Sequence, residues 1–167
     1  MDAARTDHVN TYIEIDWHAG PRAGLRPRFE MAEDSQSQLD QCFELGRVLI
    51  AFRRPVVVGH LQLVPTARSA EIELNNMAVV PEERGVGLGR ALVGSDVTRC
   101  KAEGWARMVV GAGAADGGNL RFYQRVVFRL LSVERDAFTA ATGYPDPILI
   151  NGIPLLDRVW LAQDLSR

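Results

Sequence analysis

At 167 residues, 47% hydrophobic and 24% charged, the chain suits one globular domain, residues 1–167, burying roughly 70% of its unfolded surface without a disulfide or metal staple. A net charge of -2 and a pI near 5.9 leave no basic footprint for nucleic acid or anionic lipid. The polar start MDAARTDHVN lacks the apolar core of a signal peptide, and no apolar run approaches the ~18 residues of a membrane span, so a cytoplasmic location is expected.

Tyr12, Ile13, Ile15 and Trp17 predict a first strand over Thr11–Trp17. Residues 19–28, with two prolines and two glycines, read as an irregular connection. Phe29–Leu45 reads as a helix with Leu39, Cys42 and Phe43 on one face and Gly46 at its C-terminal cap. Val48–Phe52 and Val56–Val64 form a hairpin signal around Arg53-Arg54-Pro55. Ala70–Val80 alternates through Glu71, Ile72, Glu73, Leu74 and Asn75, then turns apolar and stops at Pro81, which predicts a strand. A helix over Leu88–Glu103 carries two apolar stripes, has Arg99 and Lys101 in its last turn, and ends at Gly104. Trp105–Ala112 is an apolar strand, Asn119–Arg125 a short helix, and Val127–Val133 a strand. Residues 143–154 read as loop, and Leu155–Leu161 as the last strand. This order predicts an α/β (α+β) sheet flanked by helices. Cys42 and Cys100 stand far apart in no CxxC pattern and are expected as reduced, partly buried thiols.

Gly85, Gly87 and Gly89 alternate directly between a strand and a helix. Glycine is costly at a helix start unless the backbone must turn sharply or let something approach closely. The first helical turn offers unpaired N–H groups and a partial positive charge, and Arg84 and Arg90 add more, so the segment is a ready anion site. A ligand-free tight turn is the plain alternative. The segment has no GxxxxGK, and Arg90 and Leu92 stand where GxGxxG would need glycine, so neither nucleotide pattern fits.

The run Asn75-Asn76-Met77-Ala78-Val79-Val80-Pro81-Glu82-Glu83-Arg84-Gly85-Val86-Gly87-Leu88-Gly89-Arg90-Ala91-Leu92 resembles the signature of the GNAT superfamily of N-acetyltransferases, with Arg84-x-x-Gly87-x-Gly89 at its core. A second stretch, Asn119 to Phe128, resembles the superfamily's helix ending in Tyr, although Val127 stands where glycine is usual. The resemblance spans about residues 46–135, and the tail around residues 134–138 and 152–158 resembles a bacterial group within the superfamily. It implies a mixed, mostly antiparallel, splayed sheet and an acyltransferase that moves groups other than aminoacyl groups. Acetyl-CoA is the implied co-substrate, with no metal.

The resemblance further implies where the co-substrate lies. Main-chain groups along Met77, Ala78 and Val79 would pair with the pantetheine arm. The amides of Arg84, Gly85, Val86, Gly87, Leu88, Gly89 and Arg90 would hold the pyrophosphate, and Asn119 would bond the pantetheine. Tyr123 would point its hydroxyl at the thioester sulfur. An amine acceptor must lose a proton before attack and the leaving thiolate must gain one. Glu71 and Glu73, two apart on one strand face, are the base candidates, with Glu71 slightly preferred; the alternative for each is a solvated face. Tyr123 is the favoured acid, its alternative a packed aromatic, and the Val79 amide is a candidate oxyanion donor. His60 is expected as a core histidine, and Tyr144, Asp146 and Asp136 as candidates for the acceptor pocket on loop position alone. No GxSxG, HExxH or clustered Cys/His set supports a hydrolase or zinc site. The acceptor is expected to be a small-molecule primary amine. The competing readings are a protein acceptor and a non-catalytic acetyl-CoA sensor. Dimers are common in the families resembled, so a homodimer is also among the expectations.

Overall fold

The computed structural model describes residues 12–166. In chain order the strands are β1 (Glu14–Trp17), β2 (Arg47–Arg53), β3 (Val56–Pro65), β4 (Glu71–Val79), β5 (Arg107–Gly113), β6 (Arg129–Glu134), β7 (Leu149–Ile150), β8 (Ile153–Pro154) and β9 (Arg158–Asp164). The α-helices are α1 (Arg26–Phe29), α2 (Gln36–Cys42), α3 (Leu88–Ala102) and α4 (Gly117–Arg125). Seven strands form one sheet in the order β1-β2-β3-β4-β5-β9-β6, while β7 and β8 make a separate hairpin. Every neighbouring pair of the large sheet is antiparallel except β4 and β5.

One face of the sheet packs against α3 and α4 through Leu49, Leu61, Leu63, Ile72, Leu92, Met108, Val110 and Leu161. The other face carries the smaller cluster of Leu25, Phe29, Leu39, Phe43 and Val48 under α1 and α2. β3 is therefore covered on both sides, and its polar side chains must find partners there. Gln62 donates to the carbonyls of Cys42 and Leu45, and the His60 ring stacks on Phe29 with centroids 4.3 Å apart.

Several boundaries differ from the sequence reading. Of the helix expected over residues 29–45, Gln36–Cys42 forms as α2, while α1 lies in the segment read as an irregular connection and ends at Phe29. Pro27 opens α1, and Ser35 caps α2 by accepting from the Gln38 N–H, because a serine side chain competes for backbone groups and favours a helix start over a helix interior. Of the strand expected over Thr11–Trp17, Glu14–Trp17 forms, and Thr11 lies outside the described residues. The last strand is Arg158–Asp164 rather than Leu155–Leu161. Leu155 leaves the ladder to bury its side chain against Gly113, where an added Cβ would lie 2.6 Å from Leu155 Cδ1. Within the expected loop, Asn151 and Gly152 adopt φ of 50° and 78° and close the β7–β8 hairpin. Asn-Gly is the usual chemistry for that turn.

Candidate functional site

The site exists because β4 and β5 part company. Their parallel pairing runs from Glu71 with Arg107 to Leu74 with Val110 and goes no further. On the opposite edge of β4 the register to β3 slips, Gln62 facing Asn76 and Leu63 facing Leu74, so Asn75 is the extra residue of a bulge. A bulge bends its strand and breaks the ladder. It also resets the alternation: Ile72 and Leu74 face the α3 core before it, Met77 and Val79 after it. The result is a cleft of about 1100 Å³ between the diverging strand ends.

Met77, Ala78 and Val79 form one wall of this cleft, and Val110, Gly111, Asn119, Phe122 and Tyr123 line the other side. Arg84, Gly85, Gly87, Leu88, Gly89 and Arg90 close one end. The structure thus brings together all but one of the residues expected at the co-substrate site. Val86 points away, 71% exposed and absent from the lining.

The glycine turn has a specific geometry. Gly85 and Gly87 take φ of 77° and 89°, a left-handed conformation that a side chain disfavours. Gly87 is the N-cap of α3, and the first helical bond runs from the Ala91 N–H to the Gly87 carbonyl at 3.0 Å. The amides of Leu88, Gly89 and Arg90 therefore have no helical partner, and these three residues line the cleft. A Cβ on Gly85 or Gly87 would meet nothing within 4 Å, so backbone conformation, not crowding, demands glycine there. Gly89 differs: a Cβ would lie 3.3 Å from the Phe122 ring and 3.4 Å from Met77 Cε, so its smallness lets α3 close on α4 and β4. Arg84 donates from Nε to the Val79 carbonyl at 2.9 Å, which ties the turn to the strand end. Arg84, Arg90 and Arg125 give the lining three guanidinium groups.

Tyr123 sits at the junction of cleft and core, 8% exposed, between Phe122 and Phe128 in edge-on contacts. Burial, with Asp116 nearby, pushes its phenol above the ordinary range and keeps it protonated. Two cleft features escaped the sequence reading. Asp116 caps α4 by accepting from the Asn119 N–H at 2.9 Å, an aspartate-plus-three signal that moves the helix start back to Gly117. Met31, Ala32 and Asp34, in the turn between α1 and α2, reach the cleft from across the sheet, where no local pattern announces them.

Glu71 and Glu73 do not line the cleft. Glu71 is buried, accepts from the Thr66 hydroxyl at 2.9 Å and faces Arg107 at 3.5 Å. Glu73 is held above the usual carboxylate range by burial, an effect reinforced by Glu71 and Glu134 and opposed by Arg158. Arg158 crosses over Gly111, with its Cδ 2.7 Å from where a Cβ would be, and donates to Glu134, as does the Trp160 indole. Tyr144 is buried and donates to Glu33 at 2.8 Å, whereas Asp136 and Asp146 are exposed; none of the three lines the cleft. His60 is fully buried, donates from Nε2 to Asn76 Oδ1 at 2.6 Å, and leaves Nδ1 without a partner. Burial lowers it to about 4, so the ring is neutral. No cluster of three or more His, Cys, Asp or Glu that could hold a metal occurs among the described residues, and no helix there is long and apolar enough to cross a membrane.

Comparison with known proteins agrees with this geometry. The model of the Acetyltransferase (GNAT) family matches residues 11–128. An uncharacterized N-acetyltransferase of Bacillus subtilis (strain 168), YvbK, is 29% identical over 135 residues, covering 81% of this chain and 85% of the relative. A GNAT family acetyltransferase from Elizabethkingia anophelis, solved with acetyl-CoA bound, is 26% identical with a TM-score of 0.83, covering 91% of this chain and 97% of that one. A Bacillus subtilis acetyltransferase solved in complex with CoA is 25% identical with a TM-score of 0.82, covering 92% of this chain and 99% of that one.

Proposed function

This chain belongs to the GNAT family of acetyltransferases, and on that premise we propose that it binds acetyl-CoA in the β4–β5 cleft and transfers the acetyl group to a small-molecule primary amine. The parting of β4 from β5 beyond Leu74 and Val110, closed at one end by the Gly85–Gly87 turn, carries this reading. A free strand edge at Met77–Val79 suits the amide-bearing pantetheine arm, and the turn amides with Arg84, Arg90 and Arg125 suit the pyrophosphate. Asn119, in the cleft lining, is the residue proposed to bond the arm, and the Val79 amide is the donor proposed for the developing oxyanion.

In the proposed reaction, Glu73 takes a proton from the acceptor ammonium through water. It is preferred to Glu71, which is already engaged by Thr66 and Arg107. The free amine attacks the thioester carbonyl, the C–N bond forms, the C–S bond breaks, and the nitrogen releases its second proton to solvent to leave the neutral amide. Tyr123 donates its hydrogen to the leaving sulfur and is reprotonated from solvent. A phenol that burial keeps neutral is available as that donor at any ordinary pH.

Thermal melting with acetyl-CoA, against NAD and ATP controls, tests the co-substrate. Acetyl-CoA at 100 times its dissociation constant adds about 2.7 kcal/mol and raises the midpoint by roughly 5–10 °C. No shift with acetyl-CoA, or an equal shift with ATP, overturns the assignment. Thiol release across a panel of amines and lysine peptides then separates small-molecule from protein acceptors.

A further inference from the structure

Where β4 and β5 part, one arginine lies across the sheet on the face away from α3. Val110 and Ala112 of β5, and Val159 and Leu161 of β9, turn toward the α3–α4 core. Gly111 and Arg158 therefore face the other side, as does Glu73 between the core residues Ile72 and Leu74. In register Arg158 stands beside Gly113, but its stem runs back along β5. A Cβ on Gly111 would lie 2.7 Å from Arg158 Cδ and 3.3 Å from its Nε, so the missing side chain is what lets the stem pass. Gly111 lines the cleft, and Glu73 pairs with Val109, two residues further back. The guanidinium is thus carried over a bare stretch of β5 toward Glu73, where burial raises the carboxyl and the charge of Arg158 opposes the rise.

The head of Arg158 is held but not used up. Nη1 donates to Glu134 Oε2 at 3.0 Å, and the rings of Phe138 and Trp160 lie 5.0 and 5.5 Å from Cζ. The Trp160 indole donates to the same Glu134 oxygen at 2.9 Å. Among the described residues the Nε–Nη2 edge has no partner, and Glu73 makes no ion pair with it. Two adjacent N–H groups on one edge of a guanidinium match the two oxygens of a carboxylate.

We propose that Arg158 binds a carboxylate carried by the acceptor, which makes the acceptor an amino acid with its ammonium toward Glu73 and its carboxylate on the Nε–Nη2 edge. Given the acetyl transfer proposed above, on which this rests, Arg158 selects among amines and takes no part in the proton transfers. A bare ammonium arriving at Glu73 meets the like charge of the guanidinium, whereas a zwitterion brings the group that offsets it. The carboxamide of the same amino acid keeps the amine and loses the anion, so it leaves the guanidinium edge without its counter-charge.

Thiol release with saturating acetyl-CoA across the L-amino acids, each against its own carboxamide and against simple alkylamines, tests this selection. At least one acid should be turned over with kcat/KM more than about 10-fold above its carboxamide, the low end of what a hydrogen bond to a charged group is worth. The carboxamide's ammonium is the more acidic, so amine ionisation alone would favour the carboxamide. Arg158→Gln should raise KM for that acid by about 10- to 100-fold and bring acid and carboxamide level. In the presence of CoA, the same acid should raise the melting midpoint of the wild type and not of Arg158→Gln, which reads binding without turnover. Carboxamides or alkylamines turned over as well as the acids, or a preference for the acid that Arg158→Gln retains, overturn the proposal and leave acetyl transfer standing. Thiol release from none of these amines also overturns it; if the acetyl-CoA melting shift is absent as well, the acetyl-transfer reading falls with it.

Discussion

The proposed chemistry rests on single side chains, and two of them can be tested separately. Replacing Tyr123 by Phe removes one oxygen and leaves the contacts with Phe122 and Phe128, so packing and co-substrate affinity should hold. Turnover should fall about 10²-fold, the usual worth of a positioned proton donor. Steady-state kinetics with a parallel acetyl-CoA titration separates the two; equal losses would mean a packing role. As the proposed base Glu73 would work only when ionised, and burial holds it above the usual carboxylate range. kcat/KM should therefore rise with pH along a limb displaced upward from ordinary carboxylates, and Glu73→Gln should lower the rate and abolish that limb. A limb that survives the substitution belongs to another group.

Elements impose their own demands on residue type. Val127 follows α4 with φ of 76°, where the superfamily resemblance places glycine and where a β-branched side chain is strained. The backbone keeps the glycine turn although the glycine is gone. Val127→Gly should relieve that strain and stabilise the chain by about 1 kcal/mol, offset in part by unfolded-state entropy, visible as a rise of a few degrees in Tm. At Gly87 the reasoning runs the other way. Space for a methyl is open, so Gly87→Ala should cost about 1 kcal/mol through its left-handed φ. Gly87→Asp adds a negative charge at the mouth of the α3 amides and should abolish acetyl-CoA binding in the same melting assay. Binding that survives the aspartate would leave the turn a turn.

Across the whole molecule, two buried ionisable groups pull stability in opposite directions. His60 is lowered to about 4 by burial, so the unfolded chain binds the extra proton between about 6.5 and 4, and stability falls as pH drops through that window. Asp96 is buried in α3, accepts from Cys100 Sγ at 3.8 Å on Oδ1, has no partner for Oδ2 among the described residues, and is raised to about 7 by burial. There the native state holds the extra proton, so stability falls as pH rises from 3.8 toward 7. The two slopes offset each other, and the wild type should show a flat profile across that range. Asp96→Asn removes one of them. The variant should be more stable at pH 8 by on the order of 2–4 kcal/mol, with the advantage vanishing near pH 4, as read by denaturant melts. A constant advantage at both pH values would assign the effect to packing.

Elements whose cause is local are legible in the residues alone. β4 follows from period-two patterning, β2 and β3 from apolar β-branched runs around a proline turn, α3 from its apolar stripes, and the turn before it from glycines that a left-handed backbone requires. Motif spacing placed Tyr123 and Asn119 beside that turn, and the cleft joins them. Local pattern also hid information in plain view: two asparagines in a row, Asn75 and Asn76, mark the bulge where alternation breaks. What remained was non-local. The shortening of the helix expected over residues 29–45 to Gln36–Cys42, the true span of β9, and the reach of Met31 and Asp34 to the cleft depend on which strand or loop lies alongside. Those neighbours are set by long-range packing. Only the assembled sheet showed that Glu71 is already bonded to Thr66 and faces Arg107 while Glu73 is not so engaged, because a carboxylate's availability depends on its neighbours in space.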